Sequence, residues 1–496
     1  MASATLTRPR PGPADSSARR RRPTPWPSIA LAVLSLGTLI GFVVYPTFPN
    51  YDSYYSLVWG RELLDGTLPS FDAYRAPTQH PLAIVFGALL SLVGDGADRL
   101  MVGATLASFV VLAAGLYRLA RASFGLVVGL TAAALLCSRF DFPFLAARAY
   151  IDIPYLALIV WAAALEAERP RRGGAIFVLL AAAGLLRPEA WLLSGLYFLW
   201  CVVPADWPHR IRYGVLTWVG PIVWWTTDWI VTGDPLFSLT HTSGLAEELG
   251  RQRGLTEIPM ATVEFLKNLD KVPVFYAGIL GLLLAIGLVP RRAVMPLVMF
   301  VVGMGTFVLV GLAGLSVIDR YLLVPSLMVM VFAAVTLTGW TMLRPGLRAR
   351  RWWAIAAGVV VLYGVFFTAT RVNFATFDTE LRFRGDSHAS LERLLRDPRV
   401  LAGRRCGPVS VPNHKLIPDT RWLLDAGERD VIARSDRRQA RRITRGVAIY
   451  ATSRQSLLRQ GFTADDASVE DTANSLPIPG FEFVAATGFY GAYVRC

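Results

Sequence analysis

The stretch FPNYDSYYSLVWGRELLDG (48–66) sets one carboxylate, Asp52, among five aromatic rings just beyond the first apolar segment. Rings alone suit a helix lying in a membrane interface. A carboxylate beside them adds a group that can take a proton from a nucleophile. Other acids and bases recur at similar places along the chain: Arg75 and His80 in DAYRAPTQHPLAIVF, Arg148 and Asp152 in ARAYIDIPYLALIV, Arg187 and Glu189 in LLRPEAW, Asp234 and His241 in VTGDPLFSLTHTSG, and Asp319 and Arg320 in LSVIDRYLLVP. Each has a plain structural reading. Asp52 is placed to cap the helix that follows it. Tyr51, Tyr54, Tyr55 and Trp59 read as an interfacial belt. Arg75 and His80 suit lipid headgroups, Arg148 and Asp152 an i,i+4 pair, and Gly-Asp-Pro a turn. Asp152 fits its plain reading least, because an acid inside an apolar segment marks function by default. No CxxC or HExxH spacing occurs, so no metal site is predicted.

The elements that must position these residues are membrane helices. The chain is 54% hydrophobic and 17% charged, and apolar runs recur from Pro27 to Thr370. Runs near ~20 residues with few charges read as transmembrane helices. The net charge of +14 comes from arginines clustered in short loops, where the positive-inside rule places them, and this argues against nucleic-acid binding. The Arg-, Pro- and Ser-rich segment 1–26 is predicted to be disordered and cytoplasmic. Spans are predicted at 27–45, 99–117, 125–138, 151–166, 174–187, 188–204, 212–231, 271–289, 294–315, 320–342 and 352–370. The run 81–94 is short for a span, and reading it as an interfacial helix puts five basic loops on the cytoplasmic side. Segments 46–98, 139–150, 232–270 and 371–496 then share the opposite face, which carries the acids and bases above.

Residues 371–496 lack long apolar runs. GPVSVPNH, GVAIYAT and FEFVAATGFYGAYVRC read as strands, the last turning near Thr487–Gly488, and HASLERLLRDPRVLAG and SRQSLLRQGF as helices. The expected architecture is an α-helical polytopic membrane protein with about eleven spans over 27–370, interfacial helices in its first external loop, and a small extracytoplasmic α/β domain over 371–496. Cys137 and Cys201 lie in apolar spans as buried thiols. Cys406 and Cys496 flank predicted strands in the tail and are candidates for a disulfide.

Taken in order, the motifs resemble the GT-C class of integral-membrane glycosyltransferases, in the branch of the protein O-mannosyltransferases and the lipid A aminoarabinose transferase. NYDSYYSLVWGRELLDG matches the acidic first external loop, QHPLAIVFGALLSLVG the basic-Pro-Leu interfacial helix, and ARAYIDIPYLAL the second acid entering a helix. TGDPLF and DRYLLVP match later segments. The family often carries Asp-Glu in the first loop where this chain has Asp52-Ser53. The resemblance implies inverting transfer of a hexose or pentose from a polyprenyl-phosphate donor to a glycan, protein or lipid acceptor on the extracytoplasmic side, with no obligatory cofactor. It casts Asp52 as general base and Asp152 as a second acid that orients the acceptor or a basic side chain. Arg75, His80, Arg148 and Arg320 are donor-phosphate candidates, and Tyr51, Tyr55, Arg187, Glu189, Asp234 and His241 further pocket candidates. A transporter or flippase of lipid-linked sugars is the alternative, since intramembrane charges serve it too. The paired internal repeats common in transporters are not found.

Overall fold

The computed structural model describes residues 25–371, 374–462 and 477–496. Most of the segment predicted to be disordered, residues 1–24, lies outside the described residues. Helix α1 (Trp26–Val44) leads into α2 (Tyr51–Leu64), α3 (Pro81–Ser91), α4 (Ala97–Phe124), α5 (Leu126–Cys137), α6 (Asp141–Ala147) and α7 (Asp152–Glu168). Then follow α8 (Gly174–Leu186), α9 (Ala190–Val202), α10 (Trp207–Thr232), α11 (Phe237–Glu248), α12 (Ile258–Asp270) and α13 (Val272–Leu288). The apolar series closes with α14 (Pro290–Leu312), α15 (Leu323–Thr338) and α16 (Arg348–Arg371). Helices thus stand at each predicted span. Among the described residues five are long and apolar enough to cross a membrane on length and composition, or up to seven if each of two bent helix pairs is one span. The outward faces of α1 and α16 are apolar, with Leu36, Ile40, Leu362 and Phe366 exposed. This is a multi-pass membrane protein.

The core runs along α15, whose residues Leu323–Thr336 are all buried. Helix α13 packs on it through Gly278 and Gly281. A Cβ at Gly281 would lie 1.8 Å from the Phe332 carbonyl oxygen, so only glycine permits this approach. The first external loop uses the same device. Helices α2 and α3 cross at Gly60 and Gly87, where a Cβ would meet Ala88 N at 2.3 Å and Ser56 O at 2.2 Å. Helix α3, 11 residues long, thus lies directly against α2.

Two local expectations change. Asn50, not Asp52, caps α2: its side chain accepts from the N–H groups of Asp52 (2.7 Å) and Ser53 (3.2 Å). The aromatic belt is an internal stack. Tyr54, Tyr55 and Trp59 are fully enclosed by protein, with Tyr55 on Trp59 and Trp59 on Phe71 at centroid distances of 5.0 and 4.9 Å. Periodicity defines a ring-bearing face and leaves open whether lipid or protein covers it.

Tyr55 and Trp59 are covered by Phe71 and Ala76 of the same loop, Ile84 of α3 and Phe237 of α11, while Tyr54 is covered where the C-terminal residues fold back onto α2 with His388 and Trp422. Helices α17 (Phe374–Leu395), α18 (Pro398–Gly403) and α19 (Ile417–Leu424) accompany a five-stranded sheet of β1 (Val409–Val411), β2 (Val431–Ala433), β3 (Gly446–Ala451), β4 (Glu482–Ala486) and β5 (Tyr490–Arg495). The order is β2-β1-β3-β5-β4, parallel across the first three strands and antiparallel across the last two pairings. Strand β2, only three residues long, is not evident in the sequence. Cys406 and Cys496 are disulfide-bonded, with Cα atoms 5.2 Å apart. Arg421, almost wholly buried on α19, pairs with Glu62 of α2 at 2.5 Å and donates to Ser70 Oγ at 3.0 Å. Arg61 donates in return to the carbonyls of Arg421 and Trp422. The first loop is thereby clamped between the membrane helices and the sheet domain.

Candidate active site

Because Asn50 takes the capping role, the Asp52 carboxylate is left to turn into a cavity of about 850 Å³ beside α2. Arg320 meets it there at 3.3 Å. Arg320 lies in the short 3-10 turn Asp319–Leu322 that leads into α15, so the most buried helix fixes its position. It also stands 3.5 Å from Asp152. Asp152, fully buried at the start of α7, is bonded in turn by Arg187, whose guanidinium pairs with Glu189 at 2.7 Å. Arg187 and Glu189 reach this place because the chain breaks between α8 and α9, where Pro188 disfavours a continuous helix. The result is one ionic chain, Asp52–Arg320–Asp152–Arg187–Glu189, with two guanidiniums among three carboxylates. Such a chain holds Asp52 in a fixed direction and leaves one negative charge over. An incoming anion therefore needs the other cations of the cavity.

Those cations include Arg75, Arg251 and Arg384. Arg75 pairs with Glu248 at 2.8 Å, and its carbonyl accepts from Tyr51 Oη at 2.6 Å. Arg75 and Ala149 both adopt φ of +53°, a left-handed conformation costly to non-glycine residues. The kink at Ala149 separates Arg148 from Asp152, so they are not an i,i+4 pair. Arg148 instead stacks over Phe48 at 4.1 Å. His80 lines the cavity, but burial pushes it down to about 4. It thus offers a neutral imidazole at neutral pH, able to donate a hydrogen bond without supplying charge.

Three predicted residues sit elsewhere. Tyr55 belongs to the buried ring stack. Asp234 caps the turn into α11 by accepting from Leu236 N at 2.9 Å. His241 stacks on Phe237 and contacts the Ala76 carbonyl at 3.0 Å, which tethers the first loop. Sequence reasoning also missed Asp228, buried on α10, which accepts from Gln79 Nε2 (3.0 Å), Ser238 N and Ser238 Oγ. It thereby anchors the residue next to His80. Its signal was available in WWTTDWIV, an acid inside an apolar run. His388, His414 and Asp419 of the C-terminal region complete the cavity wall, and no local pattern marks them. Burial pushes His414 down to about 3. Among the described residues no group of three or more His, Cys, Asp or Glu side chains is gathered to hold a metal ion.

Beside the polar cavity runs an apolar groove of about 920 Å³, lined by Leu82 and Phe86 of α3, Met101 of α4, Leu158 and Trp161 of α7, and Leu179 of α8. Ile151 lines both spaces. On α2, Asp52 faces the cavity and its neighbour Ser53 the groove.

This fold, a polytopic helical body with a small sheet domain, is shared with a solved structure. The solved structure of ArnT from Cupriavidus metallidurans bound to undecaprenyl phosphate superposes with a TM-score of 0.56 at 14% identity, over 95% of this chain and 98% of that one. Two structures of the Archaeoglobus fulgidus oligosaccharyltransferase align at 12% identity and a TM-score of 0.49. The apo form covers 84% of this chain and 65% of its own. The form tethered to an acceptor peptide covers 96% and 74%. No family model matches the chain, and no curated protein sequence does.

Proposed function

We propose that this protein transfers a hexose or pentose from a polyprenyl phosphate to an acceptor nucleophile at the membrane face that carries the sheet domain. The observation that carries this reading is a polar cavity opening beside an apolar groove, with Ile151 in both linings and Asp52 and Arg320 in the polar one. A lipid-linked sugar needs that pairing: hydrocarbon in the groove, phosphate and sugar among charged groups. The shared fold with an ArnT solved with undecaprenyl phosphate supports the same class of donor.

In this reading the acceptor's hydroxyl or amine attacks the anomeric carbon from the side opposite the phosphate. The new bond to that carbon forms as the carbon–oxygen bond to phosphate breaks, and the phosphate leaves with the electron pair. One displacement inverts the anomeric centre. Asp52 takes the nucleophile's proton. The phosphate gathers charge as it leaves, and Arg320 with Arg75 and Arg251 offers it guanidinium donors while His80 offers a neutral one. Asp152 and Arg187 act through Arg320 by fixing its position. Native mass spectrometry of the purified protein tests the reading. Undecaprenyl phosphate binds and undecaprenol binds at least about tenfold more weakly, with Arg320→Ala narrowing that difference. Equal retention of the two lipids by the wild type contradicts it.

A further inference from the structure

We propose that Arg148 and Asp419 form a binding pair for the hydroxyl groups of a sugar, one partner from the membrane helices and the other from the C-terminal sheet domain. The inference rests on the glycosyltransferase reading and names a subsite within the same cavity.

Among the described residues four arginines are buried, and three are better supplied with acceptors than the fourth. Arg187 has Asp152 and Glu189. Arg421 has Glu62 and Ser70. Arg434 donates from its terminal nitrogens to the carbonyls of Ser410 and Ile449 and to Ser410 Oγ, although its buried Nε has no partner. Arg148, only 8% exposed, donates one long bond of 3.4 Å to the Pro49 carbonyl, and its buried Nε has no partner. Asp419, 7% exposed on α19, faces it across the domain seam. Among the described residues its carboxylate receives no hydrogen bond from another residue and no cation within ion-pair distance. Each is an electrostatic neighbour of the other, and both line the cavity that holds Asp52.

A buried cation and a buried anion that do not touch, and that both face a cavity, select what can lie between them. Asp419 repels a phosphate or carboxylate, and Arg148 repels an ammonium group. A hydroxyl accepts from the guanidinium and donates to the carboxylate, and a sugar carries several. The neighbouring surface suits a sugar ring as well: Phe48 lies under Arg148 and stacks on His388 at 4.4 Å. Other groups facing the pair already have partners, though His388 keeps a buried Nδ1 without one. Arg384 pairs with Glu380 at 2.7 Å, and His388 contacts Tyr54 at 3.2 Å and Asp98 at 3.7 Å. The sugar is that of the lipid donor or that of the acceptor, and the pair's chemistry is the same for both.

The test uses purified full-length protein, Arg148→Gln and Asp419→Asn, with three probes read by native mass spectrometry. These are undecaprenyl phosphate, a panel of undecaprenyl-phosphate hexoses and pentoses, and methyl glycosides of the same sugars added to lipid-loaded protein. Both variants hold undecaprenyl phosphate within about twofold of wild type while losing at least about tenfold in one sugar readout. Loss of the affinity that the sugar adds to the lipid places the donor sugar there. Loss confined to the methyl glycosides places the acceptor sugar there. The double variant loses no more than the worse single one, and either single variant carries the test if the other fails to fold. Wild-type protein that ignores undecaprenyl phosphate overturns the glycosyltransferase reading and the pair with it. Wild-type binding with both sugar readouts unmoved in the variants, or with bare and glycosylated lipid weakened equally, overturns the pair alone.

Discussion

Asp419 is a carboxylate that the fold holds at a cost. Burial pushes it up to about 6, and the neighbouring His388 and Arg148 oppose that shift without cancelling it. An unfolded aspartate titrates near ~3.9, so the folded chain binds this proton more tightly. The contribution to stability is complete below about pH 4 and is lost as pH rises through about 6. Asp419→Asn, neutral at every pH, is expected to unfold at a higher temperature than wild type at pH 8 by an amount equivalent to roughly 2–3 kcal/mol, with the difference closing towards pH 4. Thermal unfolding across that range checks it, and parallel wild-type and variant profiles contradict it. Nothing in LIPDTRWLL sets this residue apart from a helix-start acid, since its burial depends on a seam between distant parts of the chain. Asp52 was legible, because its place after the first apolar segment and before a basic-Pro-Leu motif is a matter of order. Its capping role was misassigned because Asn50, two residues earlier, offers the same acceptor chemistry.

The helices of the first loop turn those residues into a site. Helices α2 and α3 touch backbone to backbone at Gly60 and Gly87, and α2 carries Asp52 while the start of α3 carries His80. Gly87→Val puts a branched side chain where even one carbon would sit 2.2 Å from the Ser56 carbonyl oxygen. The expected loss is at least the ~1–3 kcal/mol of core overpacking, seen as a lower unfolding temperature, whereas the same change at Gly37, where a Cβ meets nothing within 4 Å, costs little in packing. Equal effects at the two positions would show that the crossing is not tight. The run 81–94 reads as non-spanning from its length and from the charge of later loops. What it packs on does not read in the same way, because glycines in GRELL and FGALL carry no sign of facing each other.

At the scale of the whole molecule, eleven apolar helical ranges and a terminal α/β region could be read from composition and periodicity. Closure of the sheet domain over the cavity could not, since Arg421–Glu62, Tyr54–His388 and Tyr45–Asp378 join residues more than 300 positions apart. The positive-inside reading places that domain outside the cytoplasm. Arg438→Cys, at an exposed position, is therefore expected to react in intact cells with a maleimide that cannot cross membranes, and reaction only after lysis contradicts that orientation. The central claim is sugar transfer at Asp52, and turnover tests it most directly. Purified protein is supplied with the undecaprenyl-phosphate sugar it binds best and a cell-envelope fraction as acceptor, and released undecaprenyl phosphate is measured for wild type and Asp52→Asn. The account predicts steady release by wild type and a loss of at least about a hundredfold in Asp52→Asn, with donor binding retained. Release by Asp52→Asn at the wild-type rate would contradict it.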